Sequence, residues 1–132
     1  MTQYSHMKKI AGTALILISI LTLSCSKKND AQQQSHTIKI TASSSNEFTA
    51  VLTTQITTAT SPVTTDSKTI AKGSAYAYTG TFNEGDQLSF DLKSDVTNSI
   101  TYAIYDNETI VAQASDKEVA THTTITVGYD IP

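Results

Sequence analysis

The side chains in this chain that could do chemistry are few: one cysteine, Cys25; three histidines, His6, His36 and His122; a loose group of acids, Asp86, Asp91 and Asp95; and six tyrosines without a tryptophan. A single cysteine can form no intramolecular disulfide, so its thiol is left for modification or ligation. Zinc asks for three or four ligands, mostly His and Cys, at short spacing, and His36 and His122 lie far apart with no His-x-Glu pattern, so no metal site is expected. The three aspartates lack EF-hand spacing, and hydrophobic alternation puts Asp91 on the wet side of a strand, which reads as solvated acids rather than a calcium site. Serine and threonine abound, yet there is no Gly-x-Ser-x-Gly elbow and no phosphate-cradling loop, since Gly12, Gly73, Gly80, Gly85 and Gly128 occur singly. Neither a cofactor nor an enzymatic activity is predicted. Asn107-Glu108-Thr109 matches a glycosylation sequon and reads more simply as a turn.

Tyrosines are what remains as a candidate ligand face, because aromatic rings stack on sugars and anchor protein partners. Tyr76 and Tyr78 share one strand face. Tyr105 points opposite to Tyr102 and Ile104, beside the Asp106-Asn107 turn, and is expected to be exposed. Against this stands the reading in which Tyr76, Tyr78 and Tyr102 fill a tryptophan-free core with their hydroxyls at its rim.

The N-terminal region has a different composition. Lys8 and Lys9 precede an apolar run from Ile10 to Leu23, followed at once by Ser24-Cys25-Ser26-Lys27-Lys28. That is a basic n-region and an h-region of export length, short of the roughly 20 apolar residues a membrane-spanning helix needs. Residues 1–24 are read as a signal peptide, with Met7 as an alternative start, 25–35 as a polar tether containing Gln32-Gln33-Gln34, and 36–132 as one domain. Loss of Lys8 and Lys9 leaves seven lysines against twelve acids, a net charge of −5. An acidic domain without a single arginine is a poor partner for phosphate backbones, so nucleic acid is excluded.

Thr22-Leu23-Ser24-Cys25 resembles the lipobox of bacterial lipoproteins, with Leu23 and Ser24 before the cysteine. The resemblance implies that the Cys25 thiol is diacylated, that cleavage makes Cys25 the mature N-terminus, and that acyl chains of the palmitate kind hold the protein on the membrane. Ser26 stands where an inner-membrane retention signal would carry Asp, which implies outer-membrane delivery, on the periplasmic face or the cell surface. Ser26-Lys27-Lys28-Asn29-Asp30 is similar to the lysine-and-acid tether of Bacteroidetes surface lipoproteins, with Lys28 and Asn29 in place of the expected acids.

The elements that must position any site read as strands. Threonine makes up about a sixth of the chain, and with Ile, Val, Tyr and Phe it favours pleated, half-buried strands. Thr37 to Thr41 alternates; Phe48, Ala50, Leu52, Thr54 and Ile56 share a face; Leu88, Phe90 and Leu92 repeat the pattern; Ile100, Tyr102 and Ile104, then Ile110 and Ala112, then Ile125 and Val127, supply further inward rows. Turns are expected at Ser43-Ser44-Ser45, Ser61-Pro62, Asn83-Glu84-Gly85-Asp86 and Asp106-Asn107-Glu108. Seven or eight short antiparallel strands without a helix predict an all-β, immunoglobulin-like Greek-key β-sandwich, with a small barrel as the alternative.

Phe82-Asn83-Glu84-Gly85-Asp86-Gln87-Leu88-Ser89-Phe90, the run Ile100 to Ala112, and the closing Ile125-Thr126-Val127-Gly128-Tyr129 resemble the soluble domain of MmpS-type transport accessory proteins. Here Asp106-Asn107-Glu108 replaces that family's Asp-Gly turn, and a lipid would replace its transmembrane helix. The resemblance implies a periplasmic β-sandwich that assists envelope export through a protein partner. The other class in play is a surface module that binds glycan or adheres to host material through Tyr76, Tyr78 and Tyr105.

Overall fold

In His36-Thr37-Ile38-Lys39-Ile40-Thr41-Ala42 every second side chain is buried and the intervening ones face water. A period of two is what a pleated strand with one wet face requires. The computed structural model describes residues 32–132. It contains eight strands: β1 Ser35–Ser44, β2 Phe48–Gln55, β3 Val63–Ile70, β4 Ala75–Asn83, β5 Gln87–Ser94, β6 Asn98–Asp106, β7 Thr109–Val119 and β8 Thr123–Asp130. There is no helix among the described residues. Lys8, Lys9, Leu23, Ser24 and Cys25, on which the export reading rests, lie outside them.

The strands form two four-stranded sheets, ordered β4-β1-β6-β7 and β3-β2-β5-β8, with every neighbouring pair antiparallel. Their inward rows make one core, to which Ile38, Ile40, Ile100 and Ile104 come from the first sheet and Leu52, Phe90 and Leu92 from the second, all fully buried. Tyr76 of β4 stacks on Phe90 of β5 with ring centroids 5.3 Å apart, which joins the two layers. The architecture is therefore an all-β sandwich of eight strands. Neighbours β5 and β8 are not joined by a hairpin; the chain between them passes through β6 and β7 of the other sheet.

Ile56 and Ile110, expected to point inward, are exposed. Ile56 is 41% exposed because β2 ends at Gln55 and the chain turns away. Ile110 is 48% exposed because the β6–β7 register slips between Ile104 and Tyr105. Ile104 pairs with Ala112 and Tyr105 with Ile110, so Val111 is an extra residue and the bulge turns Ile110 to the outer face. Ser35 opens β1 within the stretch expected to be tether, and Gln33 and Gln34 each hydrogen-bond to the Glu84 backbone.

Strand direction divides the domain into two poles. The chain enters at the pole carrying the 56–62 loop, the 84–86 turn and the 107–108 turn; the 45–47, 71–74, 95–97 and 120–122 connections lie at the other.

Candidate functional site

At the entry pole β1, β6 and β8 bring three polar side chains together. His36 occupies the first inward position of β1, Asp106 the last of β6, and Tyr129 the end of β8. The His36 ring places Nδ1 2.8 Å from each Asp106 carboxylate oxygen, and the Tyr129 hydroxyl donates to Oδ2 at 2.7 Å. His36 and Asp106 are buried, and His36 Nε2 has no hydrogen-bond partner. Burial and the neighbouring Asp106 acceptor push the Tyr129 hydroxyl up to about 12. Among the described residues nothing hydrogen-bonds Nε2, and through Asp106 the group ties β1 and β6 of one sheet to β8 of the other.

The other buried polar groups are likewise committed to the fold. Burial alone would raise the Asp86 carboxyl, but the Asn83 and Thr57 N–H groups and the Thr57 hydroxyl donate to it and hold it below the usual carboxylate range. It thereby locks the Glu84-Gly85 turn, where Gly85 takes φ +87°. At the opposite pole Asn98 accepts from the Asn46 and Ser99 N–H groups and donates to the Glu47 carbonyl. Ser44 Oγ bonds the Asn46 carbonyl in the same loop. Asp91, expected on the wet face, accepts from the Thr126 hydroxyl on the outside of the second sheet. His122 lies 3.5 Å from Asp95, both exposed, and far from His36 in the chain. Among the described residues no group of three or more His, Cys, Asp or Glu is placed to hold a metal.

The candidate tyrosines do not form one face. Tyr76 is buried, and its hydroxyl emerges at the rim to donate to Asp66 at 3.0 Å. Burial and Asp66 together raise its hydroxyl well above the ordinary tyrosine value. Burial would raise the Asp66 carboxyl, but hydrogen bonds from Lys68 and Tyr76 bring it below. Tyr78 packs half-buried against the core beside Phe82, and Tyr102 is half-buried too. These three follow the core-filling alternative. Tyr105 alone is on an outer face, that of the first sheet, where the Lys39 ammonium sits 5.5 Å from its ring centroid. Together Thr37, Lys39, Thr79, Tyr105, Asn107 and Glu108 line a concavity of about 570 Å³, a size usual for small-ligand sites.

The turn shapes that concavity. Asn107 and Glu108 both have positive φ, 46° and 70°, as a two-residue hairpin turn with the twist of its strands demands. The Asn107 side chain accepts from the Thr37 N–H, and its own N–H donates to the Thr37 carbonyl, which clips the turn to β1. Sequence reasoning singled out Tyr105 but not Thr37, Lys39, Thr79 or Glu108, whose meeting depends on the β4-β1-β6 register. It also passed over the His36–Asp106–Tyr129 tie. The readable signal for that tie is a polar residue at an inward position of an alternating strand, as with His36 before Ile38 and Asp106 after Ile104. Comparison with family models, characterised proteins and solved structures finds no match to this chain.

Proposed function

We propose that this chain is a lipid-anchored lipoprotein of the cell envelope, delivered to the outer membrane through Cys25, that acts as a non-catalytic binding or accessory module. One observation carries the non-catalytic part of the reading: the buried ionisable groups His36, Asp106 and Asp86 are all tied to internal partners, whereas the side chains lining the open concavity are exposed or half-buried on a sheet face. This commitment of polar groups to the fold supports a module that works through its surfaces.

We take the pole opposite the one where the described chain enters the domain as the face toward a partner. Three loops there are stitched to one another: the Thr97 hydroxyl meets that of Thr121 at 3.2 Å, Asn46 reaches the Thr97 carbonyl, and the His122 N–H donates to the Ser94 carbonyl. Such a pre-ordered end suits an envelope protein, and the MmpS-type resemblance supports assistance to export. The alternative, a glycan-binding or adhesion module at the cell surface, is favoured by the concavity around Tyr105.

The test is protease shaving of intact cells with a periplasmic marker as control, combined with crosslinking. Protection of the domain until the outer membrane is permeabilised, with an envelope protein captured, supports the accessory reading. Digestion on intact cells supports the surface reading. A domain that is neither membrane-bound nor captured on any envelope component overturns both.

A further inference from the structure

Resting on the binding-module reading, we propose that the outer face of the β4-β1-β6-β7 sheet, centred on Tyr105, is a binding site for an uncharged oligosaccharide. The register sets Thr79, Lys39, Tyr105 and Ile110 side by side across the four strands. Tyr105 and the exposed Ile110 are cross-strand neighbours, the Lys39 ammonium lies over the Tyr105 ring, and Glu108, Thr37 and Thr79 line the same concavity as further donors and acceptors. An aromatic ring set among hydrogen-bonding groups of both kinds matches a pyranose, which has C–H groups to lay against the ring and a rim of hydroxyls for the polar neighbours.

The remaining chemistry narrows the class. Lys39 opposes a cation and Glu108 an anion, so the site favours a neutral ligand. An extended peptide needs unpaired backbone groups, and β1 and β6 lie inside the sheet with theirs already paired. The adjoining row, Ala77, Thr41, Ala103 and Gln113, is small and flat, unlike the large apolar anchors of protein interfaces. A second concavity of about 300 Å³ continues the first and shares Tyr105 with it, so the site runs along the strands and admits more than one sugar ring. The outer face of the other sheet differs, carrying Asp91, Lys93 and Asp130 on β5 and β8.

The experiment is isothermal titration of the full-length lipidated protein, in a detergent with no sugar headgroup, with cellotetraose and with N-acetylchitotetraose. Saturable binding of either is expected, weakened about tenfold or more by Tyr105→Ala with the melting temperature unchanged, and retained by Tyr105→Trp. Thr126→Ala, on the opposite outer face, should leave it untouched. No binding of either sugar, or equal binding by the folded Tyr105→Ala protein, overturns the proposal. If that happens while the protein still crosslinks to an envelope protein, the glycan site alone fails and the binding-module reading stands; loss of both sinks both.

Discussion

Replacing Asp106 by Ala removes one acceptor and strands two donors. His36 is enclosed, with Nδ1 facing the carboxylate and Nε2 already without a partner, so its N–H finds no substitute and costs about 2–3 kcal/mol. The Tyr129 hydroxyl lies on a half-buried residue and can turn toward water, so its share is nearer 1 kcal/mol. The expected loss is about 3–4 kcal/mol, and since each kcal/mol moves the melting temperature of a domain near 100 residues by about 4–8 °C, the variant should melt well over 10 °C lower. Tyr129→Phe should cost only about 1 kcal/mol. Pairing Asp106→Ala with His36→Ala should cost about 1–3 kcal/mol less than the two single changes added together, since each alone leaves the other partner stranded. Urea unfolding followed by far-UV circular dichroism measures all four. A loss below about 1 kcal/mol for Asp106→Ala, or strict additivity with His36→Ala, would refute the claim that this cluster ties the sheets together.

Glu108 holds φ 70° in a two-residue turn, so Glu108→Gly should raise stability by about 0.5–1 kcal/mol, read as a melting temperature a few degrees higher; a lower one would contradict the strain argument. The Val111 bulge predicts that Ile110→Thr changes stability by less than about 0.5 kcal/mol whereas Ile104→Ala costs about 2–5, and equal effects in chemical denaturation would restore the inward assignment of Ile110. Asp86 and Asp66 are held below their ordinary range, so what they contribute is complete above about pH 4 and is lost as pH falls through their folded values. Tyr129 is shifted upward, so its contribution is complete below about pH 10 and disappears as pH rises through about 12. Unfolding free energies across both windows should fall at each extreme, and the acid-side fall should shrink in Asp86→Ala; an undiminished slope there would be the wrong answer.

Alternation made β1, β2, β5 and β6 legible, because each buries one face against the opposing sheet. It did not reach β3, whose residues from Val63 to Ile70 are mostly exposed on both faces at the edge of its sheet, so its sequence carries no period. The outward placement of Ile110 escapes the local pattern for a related reason: a bulge is set by how β6 and β7 pair, and alternation along one strand holds no trace of it. His36 and Asp106 stand 70 residues apart, so their inward parity could be read individually while their meeting could not. Tyr105 was legible as an outward residue by parity alone. The concavity around it was not, because Thr37, Lys39 and Thr79 reach it from β1 and β4.

Attachment through Cys25 can be read from intact mass spectrometry of the N-terminus of the membrane-extracted protein. The expected product is a mature chain beginning at Cys25 with a diacylglyceryl group and acyl chains on that residue, all lost in Cys25→Ser. A chain that still begins at Met1 or Met7, or one cut elsewhere with a free Cys25 thiol, would contradict it.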